Sequence, residues 1–256
     1  MNIKKLIPNS NIRNWVGPFN DDEYYYDLGK SQAEKIIQWL SVKPEHKILD
    51  IGCGCGRIAI HFLNYLNEEG SYIGIDSNKE LLSYCKDNIT VLRRNFQFQY
   101  VDVYNRAYSP QGKINTQDFV FPIEDESMDI VILWSVFTHM YLTDIDSYLK
   151  EIHRVLKKGG LVLASLNLNN SFTKQQIETK KSHLDIKYFI ADGLFSLDTD
   201  TPESGFAHDE DKVKELYWKY GFLIKEIKYG IWSSKELTGE FHDTIIAQKL
   251  TTKSCD

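Results

Sequence analysis

Glycine stands at every second position of Asp50-Ile51-Gly52-Cys53-Gly54-Cys55-Gly56. Glycines let the backbone come close to a ligand, and a helix that starts directly after them offers unpaired N–H groups and a positive dipole end. A strand turning through such a loop into a helix is therefore a nucleotide site. The dinucleotide fingerprint, Gly-x-Gly-x-x-Gly, would need a glycine at position 57, and that residue is Arg57. Asp76 ends a second short apolar stretch, where a carboxylate can accept both hydroxyls of a ribose. It could instead cap the next helix, a role also open to Ser77 and Asn78. His139 follows the most apolar run of the chain. An imidazole with a near-neutral pKa suits proton removal from a hydroxyl, and it could equally brace the next turn through hydrogen bonds.

These residues must be placed by an alternation of strands and helices. Lys47 to Asp50 reads as a buried parallel strand, followed by a helix carrying Ile58, Phe62, Leu63 and Leu66. Ser71–Asp76 is a second strand, residues 79–92 a helix and residues 95–101 a third strand with alternating character. Ile130–Leu133 is too apolar for a surface strand and belongs in a sheet centre. From Thr143 a helix carries Tyr148, Leu149, Ile152, Val155 and Leu156 on one stripe, and Lys157-Lys158-Gly159-Gly160 is expected to end it. His153 on this helix reads as solvated. Leu161–Leu166 is a fifth strand. The end of the chain reads as a helix over 209–220, stopped by Gly221, then a strand over 222–229 and a last, antiparallel strand over 242–248.

The pattern Asp-x-Gly-x-Gly-x-Gly resembles motif I of the class I S-adenosylmethionine methyltransferases. The acidic strand ends and the approach Glu151-Ile152-His153-Arg154-Val155-Leu156-Lys157-Lys158-Gly159-Gly160 are similar to that family too. The wording Ser135-Val136-Phe137-Thr138-His139-Met140 resembles bacterial members linked with sugar and glycan modification. The resemblance covers residues 45–167 strongly and 209–249 weakly. It implies a Rossmann-like α/β fold: a seven-stranded, mostly parallel sheet with helices on both faces, an antiparallel last strand and a small lid or insert. It implies S-adenosylmethionine as cofactor. Asp50, Gly52, Gly54 and Gly56 would hold its amino-acid end, Asp76 its ribose, Asp102 its adenine amino group and the Val103 N–H a ring nitrogen. Cys53, Ser77 and Trp134 are placed beside them. Asp102 could instead form an Asx turn. The activity implied is methyl transfer to a small hydroxylated acceptor, such as a sugar or glycan unit, with His139 as base. Two alternatives stay open: a nicotinamide-dependent oxidoreductase on a related sheet, which Arg57 disfavours, and a catalytically idle S-adenosylmethionine-binding protein.

The 256 residues, 42% of them hydrophobic, suffice for one methyltransferase domain: a lead-in over 1–46, a core over 47–167, an insert over 168–208 and a terminal helix and strand pair over 209–250. The net charge of −6 argues against nucleic acid as partner. No apolar run reaches membrane-spanning length and no signal-type segment opens the chain, so a cytoplasmic protein is expected. The oligomeric state is left open. Cys53, Cys55, Cys85 and Cys255 read as reduced thiols, and no metal site is expected. Pro8, Gly17 and Pro18 mark the lead-in as irregular. The acidic tyrosine cluster at Tyr24, Tyr25 and Tyr26 is either a flap packed on the core or a lid over the cofactor, before a helix over 31–40. The loop 104–121 and the insert 169–208 are either parts of the acceptor site or surface additions.

Overall fold

The strand prediction holds at the centre of the molecule, where apolar runs are longest. The computed structural model describes residues 3–17 and 19–251; Pro18 of the lead-in and Cys255 lie outside them. In chain order the strands are β1 (Lys47–Ile51), β2 (Ser71–Asp76), β3 (Phe96–Tyr100), β4 (Met128–Leu133), β5 (Leu156–Leu166), β6 (Leu168–Asn169), β7 (Tyr188–Ala191), β8 (Leu194–Ser196), β9 (Phe206–Asp209), β10 (Phe222–Lys228) and β11 (Asp243–Lys249). The helices are α1 (Ser10–Arg13), α2 (Asp22–Trp39), α3 (Ala59–Phe62), α4 (Lys79–Cys85), α5 (Leu142–Val155), α6 (Ser171–Glu178) and α7 (Glu210–Lys219). One seven-stranded sheet has the order β10-β11-β5-β4-β1-β2-β3. β1, β2 and β3 pair in parallel, with Asp50 opposite Gly74 and Asp76 opposite Tyr100. β11 runs antiparallel to both β5 and β10, as expected for the last strand. Ile48, Leu49, Val131, Ile132 and Leu133 are fully buried, which is why β1 and β4 read as unbroken apolar runs.

The chain divides into two compact units: Met1–Asp102 with Met128–Ile132, and Val103–Ser127 with Leu133–Asp256. The division falls within the stretch 47–167.

Several elements differ from the sequence reading, α3 and α4 in ending early, at Phe62 and Cys85. α2 starts at Asp22, so the tyrosine cluster lies inside the helix; Asp21 caps it, accepting the Tyr24 N–H at 2.6 Å. The stretch Lys157-Lys158-Gly159-Gly160 does not end α5. The helix stops at Val155 and β5 begins at Leu156. Side chains of β11 hold this backbone extended: Lys249 Nζ donates to the Leu156 carbonyl at 2.7 Å and Gln248 Nε2 to that of Gly159 at 2.9 Å. The insert builds its own four-stranded sheet, ordered β6-β9-β8-β7. These strands were invisible because they are two to four residues long and irregularly patterned. A buried carboxylate anchors the insert's edge. Asp243 accepts the Leu168 N–H (2.7 Å), the Gly230 N–H (2.6 Å) and the Trp232 Nε1–H (2.7 Å). His153 is half-buried rather than solvated, its ring set edge-on to Phe222 at 5.7 Å.

Candidate functional site

In the first unit the glycine loop links β1 to α3. Gly52, Gly54 and Gly56 take φ values of 74°, 54° and 79°, a left-handed conformation that side-chain-bearing residues adopt only under strain. The loop is tied to β2 from below: the N–H groups of Gly52 and Cys53 both donate to the Ile75 carbonyl, at 2.8 and 3.2 Å. Gly52 is exposed, while Cys53, Gly54, Cys55 and Gly56 are buried. Backbone is thus what the loop offers to a ligand.

The two carboxylates beside the loop do different work. Asp50 is 2% exposed and accepts the Tyr72 hydroxyl. Burial pushes it up to about 7; the Tyr72 bond and Arg57 pull it down, while the charge on Asp76 adds to the rise. Asp76 is half-buried at the C-terminal end of β2. Its Oδ2 accepts the Gly54 N–H and its Oδ1 the Asn78 N–H, both at 2.8 Å. Burial raises its pKa, and the N–H groups of Asn78, Gly54 and Ser77 draw it back. Asn78 is the cap of α4, accepting the N–H groups of Glu80 and Leu81 at 3.0 and 3.3 Å. Asp76 is therefore not needed as a cap. It is not unoccupied either: three main-chain N–H groups draw on its two oxygens, which leaves one lone pair for a hydroxyl. Asp102 follows β3 at the same end of the sheet and accepts the Tyr100 hydroxyl at 2.7 Å.

The lead-in packs on this loop. Tyr25 is fully buried with its hydroxyl 3.1 Å from Cys55 Sγ, and Phe19, Tyr25, Cys55 and Leu81 form one apolar cluster. Tyr24 is 58% exposed, and Tyr26 stacks edge-on to His61. Of the three tyrosines Tyr25 thus faces inward. The Arg57 guanidinium lies 4.8 Å over the Phe19 ring. Val16 approaches so closely that a Cβ on Gly54 would lie 2.6 Å from its Cγ1. Cys53, Cys55 and Cys85 are buried and unpaired in disulfides. Burial raises all three thiols, which makes them inert.

The second unit holds His139 in a short helical turn after β4. Its Nδ1 lies 2.8 Å from the Glu203 carbonyl oxygen, which can only accept, so Nδ1 carries the proton. Nε2 is then an acceptor, and the Tyr108 hydroxyl stands 3.1 Å from it as donor. Asn105 fixes the same turn by donating to the His139 carbonyl at 3.1 Å. Burial lowers the His139 pKa, partly offset by the Glu203 carbonyl, so the ring is neutral at pH 7. Burial also raises the Tyr108 phenol. Beside this group lies a cavity of about 410 Å³ whose walls include Tyr104, Tyr141, Asp144 and Glu203.

The structure thus gathers Asp50, Gly52, Cys53, Gly54, Gly56, Asp76, Ser77 and Asp102 in the first unit. Val103, Trp134 and His139 belong to the second. Val103 is buried and bridges to Ile114, and Trp134 is half-buried. Sequence reasoning missed Tyr108 and Glu203 as partners of His139. The loop 104–121 was singled out for its polar and aromatic content, which is the signal that leads to Tyr108; nothing near Glu203 in the chain marks it.

Comparison with known proteins fits this geometry. A family model described as a methyltransferase domain matches residues 42–219. A ubiquinone/menaquinone biosynthesis C-methyltransferase of Wigglesworthia glossinidia brevipalpis is 26% identical over 238 residues, 88% of this chain and 79% of the relative. An uncharacterised methyltransferase of Schizosaccharomyces pombe is 34% identical over 121 residues; the match takes in 47% of this chain and only 40% of that relative. A SAM-dependent methyltransferase structure from Methanosarcina mazei superposes with a TM-score of 0.58 at 23% identity, covering 85% of this chain and 98% of that one. A geranyl diphosphate C-methyltransferase from Streptomyces coelicolor, solved with S-adenosyl-L-homocysteine, gives a TM-score of 0.55 at 14% identity over 88% of this chain and 80% of that one. These structures share the fold. The family model spans well over half of the sequence, and the chain belongs to the methyltransferase-domain family, as a class I S-adenosylmethionine-dependent methyltransferase.

Proposed function

We propose that the protein methylates a hydroxyl of a small polar acceptor, such as a sugar or glycan unit, with His139 as the base. The observation that carries this reading is the His139 ring held between the Glu203 carbonyl and the Tyr108 hydroxyl. S-adenosylmethionine, when bound, supplies a methyl group on a sulfonium whose sulfur leaves with the bonding electron pair. The glycine loop and Asp76 would hold the cofactor, with Asp50, Cys53, Ser77, Asp102, Val103 and Trp134 as further contacts in this proposal. The chain must then orient the acceptor oxygen and remove its proton. The locked tautomer leaves the Nε2 lone pair available. The acceptor's proton would pass to the Tyr108 oxygen while the Tyr108 proton moves to Nε2. The imidazolium formed keeps its bond to the Glu203 carbonyl.

In this reading the two units are parts of one methyltransferase domain. The partner is a small molecule and not nucleic acid, in keeping with the net charge of −6. The setting is cytoplasmic, in keeping with three unbridged buried thiols. A second reading takes its support from the similarity to C-methyltransferases of ubiquinone and menaquinone biosynthesis: a carbon nucleophile on an aromatic ring, whose proton the same histidine would remove.

The test is calorimetric binding of S-adenosylhomocysteine, with NADH in parallel, followed by S-adenosylhomocysteine release in the presence of sugars and of a demethylated quinol. Micromolar binding of the first ligand and turnover with a sugar support the first reading. Turnover with the quinol alone selects the second. Binding without turnover of any acceptor favours an idle S-adenosylmethionine-binding protein.

A further inference from the structure

Two segments singled out in the sequence, the loop 104–121 by its polar and aromatic content and the insert by its position, meet around one cavity in the second unit. The loop 104–121 contributes Tyr104, Asn115 and Asp118, the start of α5 contributes Tyr141 and Asp144, and the insert contributes Glu203. The volume, about 410 Å³, suits a small molecule. Among the described residues no lysine or arginine lines it, whereas three carboxylates do.

Glu203 is the telling side chain. It is 7% exposed, and its Oε2 is buried without a hydrogen-bond partner among the described residues. A buried carboxylate oxygen with no donor is costly, and the side chain that carries this one lines the cavity. The residue's backbone carbonyl is already taken by His139. Asp144 stands nearby, half-buried, with burial and the charge on Glu203 both lifting it, to about 6, against the pull of the Tyr141 N–H. The N-terminus of α5 would ordinarily favour an anion, but Asp144 already meets it, its Oδ2 accepting the Tyr141 N–H at 3.3 Å. Arg106 is exposed; its charge is felt at the Tyr141 phenol, but it is not part of the wall. Carboxylates at a cavity wall suit a cation, and among the described residues no three His, Cys, Asp or Glu side chains come together as metal ligands. Tyrosine rings at the wall suit an organic one, since a π face attracts an ammonium group.

We propose that this cavity binds the ammonium group of an amine-bearing molecule, with Glu203 as the principal partner and Asp144 as the second. Calling that molecule the methyl acceptor rests on the function proposed above; the cation site itself does not. The acceptor class becomes a hydroxylated amine.

The test titrates the full chain at pH 7 with ethylammonium, ethanolamine and 2-phenylethylammonium. Ethanol, ethylene glycol and 2-phenylethanol serve as neutral counterparts. The side-chain carboxyl resonances of Glu203 and Asp144 are followed by NMR. At least one amine should move the Glu203 resonance saturably while its neutral counterpart does not. Glu203→Gln should weaken that binding by about tenfold or more, and Asp144→Asn by a few-fold, the loss of one charge-assisted hydrogen bond each. Glu203→Gln keeps the backbone carbonyl that holds His139, so an unchanged His139 ring resonance certifies the fold. The inference is overturned if no amine perturbs Glu203, if neutral counterparts bind as well, or if both variants bind like wild type. Calorimetry with S-adenosylhomocysteine on the same samples separates the two proposals. Cofactor binding without amine binding removes this inference alone; amine binding at Glu203 without cofactor binding removes the methyltransferase reading and leaves the cation site standing.

Discussion

The glycine loop of the first unit and the His139 pocket of the second are built by opposite means. The loop is one run of chain, residues 50–57, whose geometry is set by backbone: three left-handed glycines, amides tied to the Ile75 carbonyl, and an Asp76 whose two oxygens are anchored by main-chain N–H groups. The His139 pocket is a meeting of three segments distant in sequence, Asn105 to Tyr108, Val136 to Asp144 and Glu203. Its geometry is set by side chains, and one carboxylate oxygen is left without a partner. A site that relies on backbone tolerates many side chains but few added atoms. A site that relies on side chains can change its ligand through one substitution. The second kind is where a family with a shared cofactor would vary its acceptors.

Substitutions can break or sharpen that contrast. The largest effect is expected from Gly54→Val. A Cβ there would lie 2.6 Å from Val16 Cγ1 at a backbone φ of 54°, so binding of S-adenosylhomocysteine should fall by at least about 1,000-fold while the circular dichroism spectrum is kept. Binding within threefold of wild type would show that the loop is not a backbone site.

Next, His139→Ala should slow turnover by about 10²- to 10⁴-fold and leave S-adenosylhomocysteine affinity nearly intact. The wild-type pH profile should change as well. The base is the neutral ring, and burial lowers its pKa, so activity should stay level down to the ordinary histidine range and fall only below it, as the ring protonates. The variant should lose that acid limb. Normal turnover would make His139 a brace and not a base.

Asp76→Ala should weaken S-adenosylhomocysteine by about 10- to 100-fold, because a charged acceptor is lost and the Gly54 and Asn78 amides lose their anchor. Asp76→Asn should lose less, since its side-chain oxygen can still accept one of the two amides. Equal loss in both variants would assign the effect to charge and not to loop anchoring.

The smallest effect is expected from Tyr108→Phe, a fall in turnover of about tenfold or less with the pH profile kept, because water can replace a relay hydroxyl at an exposed site. A loss as large as that of His139→Ala would make the tyrosine an equal partner in proton removal.

Much of the first unit was legible in the chain because its information is local. β1, β2 and β4 are short and flanked by turn residues, and Asp50, Gly52, Gly54, Gly56 and Asp76 lie on consecutive strand ends, so pattern and spacing specify them. Errors arose where a local signal met a stronger distant one. Lys157-Lys158-Gly159-Gly160 has the composition of a helix end, yet Lys249 and Gln248, some ninety residues away, draw it into β5. Asp144 lies in the first turn of α5, where its carboxylate accepts the N–H of the capping residue Tyr141, but its second role at a cavity wall depends on Glu203, which arrives from the turn between β8 and β9 of the insert.

The sequence by itself determined the methyltransferase architecture and the glycine loop, because glycine spacing and strand-end acids constrain backbone over a few residues. Only the tertiary structure decided which tyrosine is buried against the loop, which nitrogen of His139 carries the proton, and that Tyr108 and Glu203 flank it. Those facts depend on contacts between residues 30, 31 and 64 positions apart, and no periodicity or spacing in one chain encodes which distant segments will meet.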